Sequence, residues 1–381
     1  MEADPFLEKI KKSAPEANEM IRGARIGIGG GFGMSSERLP TPNAVAPLYG
    51  KFVGELKDAY VDLKISNKTV VVGQSSSAVL TNAVTDAVEA SYDAAKWNVG
   101  RMVFGDGTGM LANITAAVTT SSAEITVNDT SRLIEGLVVD IYALGGTTPS
   151  TAAVQIISIN HQTGKVLLSS NPSAAISSAT SGVYGFLVVQ GSYKKEITGL
   201  GKIFAPASST STDVGYEIYG VPKATTAYVN PYVVDANHDI SDVVITDAIR
   251  LSTRRNGKID MVFAGKDAYN AYEYYMRESG INTHIVERRK FLSGAAGYDI
   301  MFGDRIATLI RNDFVPAGEM WGVDSTQFEL KETGWNFADY KGSIFNLMDD
   351  TSVYRALLAN YMELLCKNPG TCVRITNADA T

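Results

Sequence analysis

The chain has 381 residues, of which 45% are hydrophobic and 20% charged, and it carries a formal net charge of −7. That size allows two or three domains, and that balance excludes a disordered or fibrous chain. An acidic total argues against a protein whose main task is to neutralise nucleic-acid phosphates, and the local basic run ERRK at 287 to 290 reads as a solvated face.

Residues 1 to 22, with Pro5 and Pro15, read as a short polar helical arm, too small to hold a core of its own. The start MEADPFLEKIKK lacks the apolar core of a signal peptide, and no apolar run approaches the length needed to span a bilayer, so synthesis in the cytosol is expected. Residues 23 to 50, GARIGIGGGFGMSSERLPTPNAVAPLYG, are so rich in Gly, Pro and Ser that they cannot order themselves in isolation. Neighbouring subunits are expected to hold them. KFVGELKDAYVDLKISNKTVVVG then alternates apolar and polar residues, the period of a long half-buried strand. A loop followed by a returning strand suggests an extended two-stranded arm.

In the next segment Leu80, Val84, Val88, Tyr92, Ala95, Val99 and Met102 recur every three or four positions, the spacing of one helix face. Ser75, Ser76 or Ser77 can cap its start, and Gly105 or Gly107 can take the left-handed conformation at its end. At 1.5 Å per residue the helix would be roughly 40 Å long. The glycines of GRMVFGDGTGML therefore stop a helix; they do not follow a strand and open one, as a phosphate cradle must. Asp106 also lacks the alternating carboxylates of a calcium loop.

From 113 to 192 short Val- and Ile-rich runs separated by Asn, Gly, Ser and Pro predict a small all-β barrel or sandwich, with QTG as a hairpin loop. Beyond 236 the pattern is mixed. ISDVVITDAIRLSTRR predicts a helix from near Ser241, IDMVFAG a buried strand, and KDAYNAYEYYMRESG a helix ended by Gly280. YDIMFGDRIATLI predicts a hairpin, NDFVPAGEMWGVD a turn into a strand, and SVYRALLANYMELLCKN a closing strand or helix.

The chemistry-bearing residues do not converge. His161, His238 and His284 fall in three different segments, and no HExxH, HxH or GxSxG pattern occurs. Cys366 and Cys372 form neither a disulfide framework nor a zinc pair and read as reduced packing residues. Asp304 and Glu319 are the carboxylates that could form an acid–base pair, and a solvated role is expected of both. The tyrosines Tyr269, Tyr272, Tyr274 and Tyr275, at helical spacing, read as packing or interface residues. No catalytic residue, cofactor or metal site is expected, and that silence favours a structural protein.

In order and spacing, these segments resemble the major capsid protein of tailed bacteriophages, with the Hong Kong 97-like fold. The turn FGDGTGMLA is similar to the one that ends the long helix in that family, and DLKISNKTVVV resembles the strand returning from its extended loop. VVDIYALGG and GSYKKEITGLGKIF look like an inserted β-domain and its exit, while NGKIDMVFAGKDAYNAY and NDFVPAGEMWGVDSTQFEL are similar to the axial core and the strand leading back. The resemblance implies an α+β fold with an N-terminal arm (1–22), an extended loop (23–73) and a peripheral domain with a spine helix (74–112). There follow an inserted small all-β domain (113–192), an axial domain (193–322), a peripheral return (323–365) and a C-terminal axial segment (366–381).

It further implies a shell subunit that self-assembles as hexamers and pentamers into an icosahedral phage head enclosing double-stranded DNA without sequence-specific binding. Assembly would take place in the bacterial host cytoplasm, with the virion as destination. A separate scaffold protein, a portal and a decoration protein are the implied partners, with no membrane. Phe6, Arg25, Phe32 and Arg38 are expected at assembly interfaces, with the arm reaching a further neighbour. Val84, Val88, Val99 and Met102 are expected to pack the spine helix on its sheet, and Gly105 and Gly107 to form its stop. The rival readings are an encapsulin-like bacterial compartment and a phage tail or decoration protein with a glycan-binding β-domain; an enzyme built from unremarkable carboxylates is a third.

Overall fold

The computed structural model describes residues 4–25, 32–36, 43, 46, 49–68, 77–279, 288–290, 296–302, 305–338, 345–347 and 352–379. Arg38, His284 and Asp304 lie outside these residues, as do Ser75, Ser76 and Gly280 and the side chains of Arg25 and Val84.

Two larger sheets and one long helix make the frame. The helix runs from Ser77 to Val103, 27 residues, with Ala95, Val99 and Val103 buried on one side. Against it lies a six-stranded sheet built around the 14-residue strand Val353–Cys366. Lys57–Ser66 pairs antiparallel with that strand from Ser66 opposite Val353 to Lys57 opposite Met362. The closing segment is thus a strand and not a helix. Its apolar residues suit both periods, and a ten-residue partner satisfying its backbone groups decides between them. Val88 packs near Leu63, Ile65 and Ala356 of this sheet, and Met102 is half-buried against the main core.

The other large sheet has seven strands in the order Tyr232–Asp235, Val373–Thr376, Met320–Val323, Met261–Ala264, Arg305–Arg311, Ala296–Phe302 and Arg288–Lys290. Successive side chains of a strand point to opposite faces, so Met261–Ala264 serves two cores. Val262 and Ala264 meet the helices Asp242–Thr253 and Lys266–Glu278, whereas Met261 and Phe263 face the core shared with the long helix and the six-stranded sheet. Cys366 and Cys372, both reduced and buried, flank the turn where the chain leaves one sheet for the other.

Residues 110 to 189 form a third unit, a six-stranded sheet with its own core, in which Ile114, Ile141, Ile156, Val166 and Leu187 are buried. A bridge between Ile114 and Val127 joins its two edge regions and closes it into a small barrel. The strands Thr151–Asn160 and Lys165–Leu168 flank the QTG hairpin.

The arm departs from expectation. Among its described residues only Pro5–Lys9 is helical, capped by Asp4 Oδ1 accepting from the Phe6 N–H at 2.8 Å. Lys11–Ser13 then adds as a parallel strand to Phe328–Glu332. Phe6, expected at an interface between chains, is fully buried in its own chain, with edge-to-face contacts to Phe104, Phe263 and Phe328. The physical reason is that a lone aromatic on a one-turn helix gains most by entering the nearest core, and the shared core has room where both sheets and the helix end converge.

Candidate assembly surfaces

Three features govern how this chain could present itself to others: the joint at the end of the long helix, the clasp that ties arm to hairpin, and the hairpin itself.

At the joint the helix stops at Val103, and Gly107 takes φ +82°, the left-handed conformation that glycine adopts without steric cost. Gly105, the other candidate, does not adopt a positive φ; its N–H donates to the Met102 carbonyl at 3.0 Å. The chain returning from the barrel passes so close that a Cβ on Gly199 would lie 2.4 Å from the Met102 and Gly105 carbonyl oxygens. Arg101 spans the joint. Its Nη1 donates to Glu196 Oε2 at 3.1 Å and its Nη2 to Glu196 Oε1, and both side chains are almost fully buried.

The clasp centres on Glu329, whose side chain is 3% exposed. Its carboxylate accepts from Ser13 Oγ of the arm at 2.6 Å and from Arg22 Nη1 of the hairpin at 3.1 Å, and Lys331 lies 3.1 Å away. Burial pushes this carboxyl upward, but the hydrogen bonds from Ser13, Lys331 and Arg22 outweigh it and hold it at about 2. One carboxylate therefore joins arm, hairpin and sheet in its charged form.

Glu363, on the central strand, behaves in the opposite sense. Burial dominates and raises it from 4.5 to about 7, although the Thr198 N–H donates to its Oε1 at 3.0 Å. A carboxyl raised by folding binds its proton more tightly in the folded than in the unfolded chain. Its stabilising contribution is complete below about 4.5 and is lost as the pH rises through about 7. Glu363→Gln is thus expected to flatten the fall in thermal midpoint between acidic and mildly alkaline buffer, read by circular dichroism across a pH series.

The hairpin pairs Glu19–Arg25 with Tyr49–Glu55 in continuous antiparallel register, from Glu19 opposite Glu55 to Arg25 opposite Tyr49. The sequence suggests a two-stranded arm with one long strand after residue 50; the structure instead divides that segment between this hairpin and Lys57–Ser66 of the six-stranded sheet, and draws the hairpin's first strand, Glu19–Arg25, partly from the segment expected to be helical. Met20 and Phe52 are buried in the main core, but other apolar side chains of this segment find no cover: Phe32 is 92% and Met34 97% exposed, and Ile21 and Tyr49 are also open to solvent. Four large apolar groups on one projection mark an interaction surface, because a single chain gains nothing by keeping them in water.

Among the described residues the remaining candidates are brought to no common site. His161 Nδ1 meets Thr130 Oγ1 at 2.9 Å, and His238 Nδ1 meets Asp379 Oδ1 at 2.9 Å. Glu319 is held by Arg374, whose Nε donates to it at 2.9 Å, and by the Trp321 indole N–H, also at 2.9 Å. Tyr272 donates to Asp242 Oδ1 at 2.6 Å, joining the two helices, while Tyr274 faces solvent. Among the described residues no group of three His, Cys, Asp or Glu could hold a metal ion, and no helix is long and apolar enough to cross a membrane. Sequence reasoning missed Glu329 and Arg101 as joints, since a charged residue on a strand or helix carries no signal of the partner that buries it.

Long helix, projecting hairpin and the two sheets together define the fold of a phage capsid protein. No protein-family model and no curated protein matches the chain. Among solved structures it is similar to the cyanophage A-1(L) capsid asymmetric unit over 98% of its own length and 92% of that chain, at a TM-score of 0.55 and 11% identity. It is also similar to the capsid of the native GTA particle, over 100% of its length and 91% of that chain (TM-score 0.46, 9% identity). The SrpI encapsulin complex of Synechococcus elongatus PCC 7942 is matched over 100% of this chain and 90% of that one, at TM-score 0.47 and 10% identity.

Proposed function

We propose that this chain is the major capsid protein of a tailed bacteriophage, with a Hong Kong 97-like fold, assembling as hexamers and pentamers into an icosahedral head around double-stranded DNA. The observation that carries this reading is the capsid-protein fold, matched over 98% of the chain. The exposed apolar hairpin supports it, since that surface needs a partner and a closed shell of identical copies supplies one to every subunit. In this reading the long helix with the six-stranded sheet is the peripheral domain, the seven-stranded sheet with its two helices is the axial domain, and the barrel is the inserted β-domain. The acidic total suits a shell that encloses DNA without gripping it. A scaffold, a portal and a decoration protein are its expected partners, and the phage head assembled in the host cytoplasm its place.

Arg25, Phe32 and Arg38 of the extended loop are the proposed interface residues. The test is electron microscopy of the purified chain, alone and with candidate scaffold proteins. Closed shells or ring-shaped hexamers and pentamers are expected; monomers under every condition would overturn the reading. Phe32→Asp with Met34→Asp should abolish the assemblies and leave the far-ultraviolet circular dichroism of the subunit unchanged, because both side chains are already in water. Particles loaded with protein cargo and free of DNA would point instead to an encapsulin-like compartment.

A further inference from the structure

The hairpin joins the six-stranded sheet through Gly54, Glu55, Leu56 and Lys57, and this joint crosses the central strand in direct contact with it. A Cβ on Gly54 would fall 2.5 Å from Leu365 Cδ2 and 3.7 Å from Glu363 Cγ. Hydrogen bonds hold both ends of the crossing: the Val53 N–H donates to the Tyr219 carbonyl and the Leu56 N–H to the Asn18 carbonyl, each at 3.0 Å. Open space borders the joint. A hollow of about 540 Å³ is lined by Asn18, Glu55, Leu56 and Tyr361, and a cleft of about 730 Å³ has Leu56 and Lys57 in its wall. The joint can therefore shift without displacing core side chains.

Glu363, under this crossing, is 1% exposed. Its Oε1 accepts from the Thr198 N–H, while its Oε2 is buried and has no hydrogen-bond partner among the described residues. An ionised carboxyl is far costlier than a neutral one in such a place. Burial accordingly outweighs every favourable contact and raises its pKa to about 7. The charged groups around it come from several elements. Lys331, directly across on the neighbouring strand, is engaged by Glu329. Lys202 of the short helix Leu200–Phe204 and Lys57 of the joint both favour the ionised form. The Tyr219 phenol also faces Glu363 and is held in its protonated form. The nearby carboxylates Glu55 and Glu196 are held by Lys57 and Arg101.

Lys57 is the cation best placed to change partners. Its ammonium lies 3.3 Å from Glu55 Oε2, on a side chain 71% exposed, and such surface pairs contribute little. A carboxylate at Glu363, shielded from water, attracts it more strongly. Because the Gly54 crossing lies over Glu363, Lys57 reaches that carboxylate only when the joint lifts.

We infer that Glu363 is a pH-operated latch on the hairpin: its neutral carboxyl lets the joint close over it, and its ionisation draws Lys57 from Glu55 and opens the joint. The Glu329 clasp does not take part, since its carboxyl is held at about 2 and stays charged throughout. Arg22 thus keeps the hairpin tethered while the joint opens, so the hairpin changes its angle to the sheet and does not detach. The inference goes beyond the shell reading, because it concerns how a subunit sets the position of its own hairpin.

The test is amide hydrogen exchange of the full-length chain across a pH series, each rate divided by the intrinsic rate at that pH. Above the value near 7 set by burial, protection of the Leu56 amide should fall roughly tenfold per pH unit, the limit for release of one proton. Glu363→Gln should hold that protection constant. Lys57→Met, which removes a cation that favours ionisation, should move the onset to higher pH. A fall shared by Glu363→Gln, an onset that Lys57→Met leaves in place, or no fall in the unmodified chain would overturn the latch. So would a loss that extends to Lys11–Ser13, since it would mean that the whole sheet opens. None of these outcomes bears on the shell reading, which electron microscopy tests separately.

Discussion

Phe6→Ala is expected to loosen the whole arm and to destabilise the chain by roughly 3–5 kcal/mol, the usual cost of truncating a fully buried phenylalanine. Phe6 has no exposed surface and touches three aromatic rings from three different elements. Phe104 closes the long helix, Phe263 belongs to the seven-stranded sheet and Phe328 to the six-stranded one. Removing the ring therefore leaves a cavity where these elements meet, and a cavity there can collapse only if they move relative to one another. The loss should appear in two ways. The denaturation midpoint in urea falls, and backbone amides of Lys11–Ser13 lose protection from hydrogen exchange, because the strand they form depends on the helix before it. Asp4→Ala removes the cap without the cavity and should cost only about 1 kcal/mol, so a midpoint shift as large as that of Phe6→Ala would contradict the keystone role.

Arg101→Met is expected to be as damaging, for an electrostatic reason. It leaves Glu196 buried without its bidentate partner, and breaking a buried pair by removing one member typically costs 3–5 kcal/mol, whereas replacing both members by apolar groups can be close to neutral. The double variant Arg101→Met with Glu196→Met should therefore recover most of the stability lost in the single one. The pair sits where the helix ends and the segment leaving the barrel returns. The single variant should also expose the Gly105–Gly109 turn to proteolysis, and the double variant should protect it again. Additive losses in the two single variants would show that the pair contributes no coupling energy and that the joint is held by packing alone.

Some of this architecture could be read before any coordinates. The long helix is legible because its apolar face recurs every three or four residues from Leu80 to Met102, and the structure ends it at Val103, next to the glycines that stop it. The barrel's Val- and Ile-rich runs and the two helices after 240 are legible for the same reason, since periodicity and turn residues are local signals, whereas the hairpin strand Glu19–Arg25 falls where a helical arm and a loop are expected. Amino-acid sequence by itself thus determined most of the elements and their order. Tertiary structure alone decided where those elements meet. It turned SVYRALLANYMELLC into a strand by giving it a partner nearly three hundred residues earlier in the chain, at Lys57–Ser66. It drew Phe6 out of the expected interface into the core, and it gathered Ser13, Arg22 and Lys331 around Glu329. Burial, pairing and charge compensation depend on residues distant in sequence, and no local pattern encodes which distant residue will arrive.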